Sequence, residues 1–160
     1  MNIRLLSLLA ALAAAAALGI ALASEHWGGL IPCALCLWGR HPYRIAIVLG
    51  LIGAVLPPRF GRWALGLLVL VMLGSVAVAA VHVGVEWGFW PSPLPECAAP
   101  DLTGLTIAER LARMPALPGK PCDEPTYLVP GLPLSMAMMS LLFSAALAGA
   151  IMWLLCRRRA

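Results

Sequence analysis

The five cysteines are the side chains in this sequence best suited to redox chemistry. Cys33 and Cys36 form a Cys-Ala-Leu-Cys motif, Cys97 and Cys122 lie well beyond it, and Cys156 stands near the C-terminus. A disulfide within so short a motif removes little chain entropy, so it adds little stability as a crosslink. Two thiols this close favour disulfide exchange, because one thiol can resolve the bond that the other has formed.

Arg40 follows Cys36 by four residues, so the two side chains share a face if this segment is helical. A guanidinium near a thiol favours the reactive thiolate, and its charge persists at every physiological pH. Arg40 could also stabilise an anion on a bound electron acceptor. The competing interpretation is that Arg40 and Arg44 extend their long side chains to the lipid headgroups.

Two other interpretations of the cysteines remain open. Cys97 and Cys122 could be a structural crosslink that closes a proline-rich loop. A zinc site could use four cysteines, with His26 or His41, but the spacing of the second pair is unlike that of zinc ribbons. We therefore expect no metal.

The composition indicates a membrane protein. Of 160 residues, 62% are hydrophobic and 11% are charged, against about 45–50% and about 25% in soluble domains. A chain of this length is expected to form one domain, covering residues 1–160. The net charge is +4, but no basic stripe is interleaved with aromatic residues, so we expect no nucleic-acid partner.

Four segments are apolar enough to cross a bilayer as helices, which predicts an all-α four-helix membrane bundle with lipid as its surroundings. The apolar part of the second segment is too short to cross alone, so that helix must extend back towards Leu37. The first segment is longer than the apolar part of a signal peptide, and we expect it to remain uncleaved. The predicted spans are residues 5–23, 37–56, 62–83 and 132–156.

Arginines near the span ends orient the protein. Arg59, Arg62 and residues 157–159 lie on one side of the predicted bundle, whereas all acidic residues lie on the other. The positive-inside rule then places both termini in the cytoplasm and the loops 24–36 and 84–131 outside. The first four cysteines would face an oxidising compartment, where disulfides persist.

The long outer loop carries local signals of structure. Thr106 and Glu109 fit a capping box and predict a short helix lying on the membrane surface. Trp87 and Trp90, where the third span ends, are typical of an interfacial aromatic belt.

Thiol oxidation releases two electrons, and the sequence contains no haem or flavin motif to receive them. An acceptor dissolved in the membrane fits this location. A lipid quinone is apolar, mobile and accepts two electrons, so we expect a quinone cofactor on grounds of location.

Three motifs occur in order and together mark both outer loops: residues 25–36 (EHWGGLIPCALC) with Arg40, residues 90–97 (WPSPLPEC), and residues 121–124 (PCDE) followed by 134–137 (LSMA). Their arrangement resembles the disulfide bond formation protein B (DsbB) family over nearly the whole chain. The resemblance implies a multi-pass protein of the bacterial inner membrane that acts as a protein-disulfide:quinone oxidoreductase. Such a protein oxidises a periplasmic thioredoxin-fold partner (DsbA-like) and passes electrons to ubiquinone or menaquinone.

The resemblance also implies a role for each outer cysteine. Cys97 would form the mixed disulfide with the partner, and Cys122 would resolve it and relay electrons to Cys33. Cys36 would face the quinone, assisted by Arg40.

Three further side chains lie near these motifs. His26 is a candidate for a quinone contact. For His82, a place in the core of the third span is favoured over a quinone contact, and Glu86 receives no assigned role.

Two alternatives from other classes stay open. A vitamin K epoxide reductase-like enzyme also couples Cys-x-x-Cys to a quinone, but its quinone-side pair is expected late in the chain. A non-enzymatic membrane scaffold with disulfide crosslinks would resist mild reduction, whereas exchange cysteines would react with a partner thiol.

Overall fold

The computed structural model describes residues 2–97, 104, 106–109, 120–129 and 131–157. Within these ranges every regular element is helical, and the only pairing of extended backbone consists of isolated bridges. The described part of the chain contains four long helices and one short 3-10 turn: α1 (Ile3–His26), α2 (Ala34–Val55), α3 (Pro58–Glu86), the 3-10 turn (Pro95–Cys97) and α4 (Met136–Arg157).

The helices form a bundle in which α2 packs between α1 and α3, and α4 packs mainly on α3. Its centre is apolar, with Leu65, Leu68 and Met72 of α3 fully buried beside Ile151 of α4. Many large apolar side chains on the outer faces are exposed in the isolated chain. A bilayer solvates such surfaces directly, so this arrangement fits membrane insertion.

Small residues bring α1 and α2 into close contact. A Cβ added to Gly50 would lie 2.8 Å from both the Ser7 carbonyl oxygen and the Ala11 Cβ. A Cβ added to Gly53 would lie 2.8 Å from the Ser7 Oγ. Backbones can approach this closely because glycine lacks a side chain, as is common where membrane helices pack.

Three helices, α1, α3 and α4, are long and apolar enough to cross a membrane. Helix α2 has 22 residues, or about 33 Å of helix, but it is not among these three. Arg40, His41 and Arg44 make its first half polar. The prediction of four spans is therefore confirmed for three of them.

All four long helices differ from the predicted spans by one to four residues at each end, and α1 and α3 extend beyond the predicted bounds in both directions. Helix α2 begins at Ala34 rather than near Leu37, so Pro42 lies inside the helix. Helix α4 begins at Met136 rather than at residue 132, because Ser135 Oγ accepts a hydrogen bond from the Met138 amide at 3.2 Å and caps the first turn.

The capping box in the long loop forms as predicted. Glu109 Oε2 accepts hydrogen bonds from the Thr106 amide at 2.9 Å and from its hydroxyl at 2.7 Å. Residues 107–109 are helical. The rest of the predicted surface helix falls in residues 110–119, outside the described residues, so that helix stays a prediction.

Candidate active site

The Cys33–Cys36 motif forms the first turn of α2. Cys33 precedes the helix as its N-cap, and its Sγ accepts a hydrogen bond from the Cys36 amide at 3.2 Å. Both cysteines are free thiols in the structure, with Cys33 buried and Cys36 half-buried. Exchange chemistry needs this proximity, because a disulfide within the pair must open and close.

Cys97 and Cys122 form a disulfide beside that motif. Both are buried, and they belong to the same apolar cluster as Cys33 and Leu35 of α2. The backbone of Lys120, close to Cys122 in the chain, pairs with Cys33 through an isolated parallel bridge. The fold therefore gathers two cysteine pairs, one oxidised and one reduced, at one end of the bundle.

His82 on α3 adjoins the reduced pair. Its Nε2 lies 3.5 Å from Cys33 Sγ and 3.9 Å from Glu86 Oε1. Glu86 Oε2 in turn accepts a hydrogen bond from the Ser135 hydroxyl at 2.5 Å. The side chains of His82 and Glu86 are only 7% and 4% exposed. His82 is buried, as the sequence predicted for a core residue, but its neighbour is the free thiol of Cys33.

Arg40 lies one turn after Cys36 in α2, as its spacing predicted. Its side chain is 11% exposed and forms an ion pair with Glu25 of α1, with Nη1 2.5 Å from Oε2. Extension to the headgroups is therefore the wrong interpretation for Arg40, because the guanidinium is buried against a counter-charge. Arg44 is exposed, as that interpretation requires.

A cavity of about 270 Å³ opens beside these groups. Side chains from all four helices line it, and its surface is mostly apolar. Polar atoms come from a small set of residues that includes Cys36, Arg40 and His82, while Tyr43 and Phe143 contribute aromatic rings. Apolar walls with a few polar groups are typical of small-molecule and cofactor sites.

The surroundings of Cys33 disfavour its thiolate form. A hydrogen bond with the Cys36 side chain, burial, and the charge that a Cys36 thiolate would carry raise the pKa of Cys33 above its ordinary value, and they outweigh the hydrogen bond from the Cys36 amide, which lowers it. Since a thiol must lose its proton to become a nucleophile, Cys33 needs help from a neighbouring base.

Cys33, Cys36 and His82 also form a set of possible metal ligands. Their ligand atoms all lie within 4.8 Å of one another, and each side chain is at least half-buried. A tetrahedral zinc site would need a fourth ligand and bond lengths of about 2.0–2.3 Å. This set differs from the four-cysteine alternative, because Cys97 and Cys122 are bonded to each other. The absence of a metal stays a prediction.

Other residues singled out in the sequence lie away from the cavity. His26 is exposed, with Nδ1 3.0 Å from the Leu22 carbonyl oxygen, and the geometry gives no support to a quinone contact. Cys156 is exposed near the end of α4. Trp87 and Trp90 are exposed just beyond α3, and Trp90 Nε1 donates a hydrogen bond to the Val81 carbonyl at 3.1 Å.

Sequence reasoning missed Glu25 and Ser135 as parts of the site, and it singled out Glu86 without assigning it a role. Glu25 stood in a quoted motif, but nothing in the sequence pointed to its pairing with Arg40. The position of Glu86 at the end of a membrane span was the signal that could have assigned it a role, since acidic groups there are costly unless they are paired.

Comparison with known proteins identifies the family. The family model described as disulfide bond formation protein DsbB matches residues 3–154. The chain belongs to the DsbB family. Disulfide bond formation protein B of Azoarcus sp. (strain BH72) is 32% identical over 152 residues, which cover 91% of this chain and 87% of that protein. No solved structure is significantly similar to the chain.

Membership of the DsbB family implies disulfide oxidoreductase activity in a membrane protein, and proteins of this family work with quinones in general. It also implies a partner that is itself a thiol oxidase. This assignment favours the DsbB-like interpretation over the vitamin K epoxide reductase-like enzyme and the non-enzymatic scaffold.

Proposed function

We propose that this DsbB-family protein is a protein-disulfide:quinone oxidoreductase of the bacterial inner membrane. It oxidises a DsbA-like thioredoxin-fold partner in the periplasm and passes the electrons to ubiquinone or menaquinone. One observation carries the proposal: an apolar cavity has Cys36 and Arg40 on its wall, directly beside two cysteine pairs in different redox states.

The electron path runs from the long loop to α2. A partner thiolate attacks Cys97, Cys122 is released as a thiol, and the partner's second thiol displaces Cys97, so the partner leaves with a disulfide. The Cys97 and Cys122 thiols then reduce the Cys33–Cys36 disulfide and become a disulfide again. The structure corresponds to the state after this transfer, because Cys97–Cys122 is oxidised and the other pair is a dithiol.

The residues around the cavity fit a quinone. The apolar walls suit its ring and the start of its tail, and Tyr43 and Phe143 offer flat surfaces to the ring. Arg40 would donate hydrogen bonds to a ring oxygen and stabilise negative charge there, held in orientation by Glu25. When bound, a quinone supplies the acceptor for two electrons and two protons. Cys36 lies on the cavity wall and is the thiol placed to react with it.

The membrane arrangement that supports this function has four spans in a single domain. Helix α2 packs between α1 and α3, two helices that can themselves cross a membrane. Its buried charge, the Arg40 guanidinium, is paired with Glu25, and pairing reduces the penalty of burying charge in a membrane. With both termini cytoplasmic, the cysteine cluster would face the periplasm.

The test is anaerobic reduction of a water-soluble quinone analogue by the purified protein in detergent. A reduced thioredoxin-fold protein serves as the electron donor, and quinone absorbance is followed. We expect loss of quinone that requires the donor and is abolished by Cys36→Ser. Cys156→Ser is the matched control and should retain full activity, because Cys156 is exposed and outside both pairs. Full activity in Cys36→Ser, or none in the unmodified protein, would contradict the proposal.

A further inference from the structure

His82 is a buried side chain at the active site that the electron path leaves without a role. Its Nε2 lies 3.5 Å from Cys33 Sγ, and the side chain is 7% exposed. It also lines the cavity together with Cys36 and Arg40. His82 therefore lies between a thiol that must lose a proton and the space where reduction of an acceptor consumes one.

Closing the Cys33–Cys36 disulfide requires a proton acceptor. The Cys33 sulfur attacks the Cys36 sulfur, an S–S bond forms, and the bond from Cys36 to its leaving group breaks, with the electron pair departing on that group. The attacking species is the thiolate. Once Cys36 is bonded to its leaving group, burial still raises the pKa of Cys33, so the proton must pass to a base as the attack proceeds.

We propose that His82 is the catalytic residue that takes this proton at Nε2 and passes it to the cavity. In the opposite step, when Cys97 and Cys122 reduce the Cys33–Cys36 disulfide, the His82 imidazolium protonates the departing Cys33 sulfur. The assignment rests on the proposed function only for the direction of electron flow, since every closing of this disulfide must release the Cys33 proton.

Glu86 is the positioning residue for His82. Its Oε1 lies 3.9 Å from the same nitrogen, and its Oε2 is held by the Ser135 hydroxyl at 2.5 Å. A carboxylate beside Nε2 stabilises the positive charge that the ring acquires when it takes the proton. Ser135 immediately precedes α4, so it ties the carboxylate of α3 to the neighbouring helix.

The other charged and titratable groups around this pair come from different elements. Helix α2 contributes Cys36 and Arg40, whose charge is offset by Glu25 of α1. The long loop contributes Lys120, whose Nζ donates to Pro125 O and to Thr126 Oγ1, each at 3.1 Å. Lys120 Nζ also lies 4.0 Å from Glu124 Oε2. Glu86 is the carboxylate that lies beside His82 Nε2, at 3.9 Å, and is placed to stabilise the protonated ring.

The test measures disulfide closing without quinone or protein partner. A background with Cys97→Ser, Cys122→Ser and Cys156→Ser leaves only the two thiols of the motif. In stopped flow, one equivalent of 4,4′-dithiodipyridine attaches one thiopyridyl group to Cys36 and releases one thiopyridone. Attack by Cys33 then releases the second thiopyridone as the disulfide closes, so the second phase reports the step in question.

We expect His82→Gln to slow the second phase about a hundredfold or more at pH 7, in line with the usual contribution of a general base. Glutamine keeps a polar side chain but cannot take the proton. His41→Gln is the matched control and should close at the parent rate, because His41 is exposed on α2. Closing by His82→Gln within about twofold of the parent would overturn the assignment.

The pH profile separates a proton acceptor from a structural role. With His82 present, the closing rate should reach a plateau near neutral pH, whereas in His82→Gln it should rise continuously with pH. Glu86→Gln can keep a hydrogen bond with Ser135 but loses the negative charge that stabilises the protonated His82 ring. The plateau of its closing rate should therefore be several-fold lower and should begin at lower pH. If His82→Gln does not fold, a parent rate without any plateau, or a Glu86→Gln profile equal to the parent's, would overturn the assignment. Because no quinone is present, this outcome is independent of the quinone-reduction assay.

Discussion

Replacing Arg40 with alanine should weaken quinone use without affecting reaction with the partner. The guanidinium is 11% exposed, lines the cavity and is held by Glu25 at 2.5 Å. A hydrogen bond to a charged group contributes about 1.5–3 kcal/mol. Since 1.4 kcal/mol is tenfold in a binding constant, the loss corresponds to an increase of roughly tenfold to a hundredfold in the quinone KM.

The ion pair makes this prediction testable as a double-mutant cycle. Glu25→Gln leaves the Arg40 charge in place but removes the partner that orients it, so we expect a smaller increase in KM, about threefold to tenfold. In Arg40→Ala/Glu25→Gln the second change should add little, because Glu25 acts through Arg40. Arg40→Lys keeps the charge but loses the planar fork, and its KM should fall between those of the parent and Arg40→Ala.

The assay is the steady-state KM for a water-soluble quinone analogue, paired with trapping of the mixed disulfide between Cys97 and the partner. The trapping rate should be equal in all variants, since in the proposed electron path the Cys97–Cys122 disulfide accepts electrons before Arg40 is involved. A quinone KM within twofold of the parent in folded Arg40→Ala would refute the reasoning. Additive effects of the two changes would show that Glu25 acts on the cavity by itself.

Three further outcomes are expected. Gly50→Ala should lower the melting temperature in detergent by the equivalent of about 1–3 kcal/mol, because an added methyl group overlaps α1. Gly66→Ala has open space at its Cβ and should leave the melting temperature unchanged, so equal melting temperatures in the two variants would contradict the close packing of α1 and α2. Gly84→Ala should shift tryptophan fluorescence, because its Cβ would overlap the Trp90 ring; an emission spectrum that matches the parent's would contradict that contact. Since the pKa of Cys33 is raised, its thiolate fraction at pH 7 is below that of free cysteine. Iodoacetamide should therefore modify Cys33 more slowly than free cysteine at pH 7, and faster as the pH rises. A modification rate at pH 7 equal to that of free cysteine would contradict the raised pKa of Cys33.

Local sequence was sufficient for the helices and for contacts within one turn. Apolar runs predicted the long helices, and the four-residue spacing of Cys36 and Arg40 predicted their shared face. The capping box at Thr106 and Glu109 also formed as predicted. These features depend on neighbours in the chain, so backbone geometry alone specifies them. Boundaries were less predictable, because Ser135 rather than the apolar run decides where α4 begins.

Contacts between distant elements required the tertiary structure. Cys33 and His82 are 49 positions apart, as are Glu86 and Ser135. No periodicity relates such residues, and only the packing of α3 against α2 and α4 brings them together. The same holds for the burial of Arg40 against Glu25, which sequence alone left open as an exposed side chain.

The sequence by itself determined that this is a helical membrane protein with a close cysteine pair and an arginine one turn away, because composition and spacing are properties of the chain. The tertiary structure decided which groups surround Cys33. Proton transfer and ion pairing depend on distances of a few ångströms, and these distances are set when the helices pack.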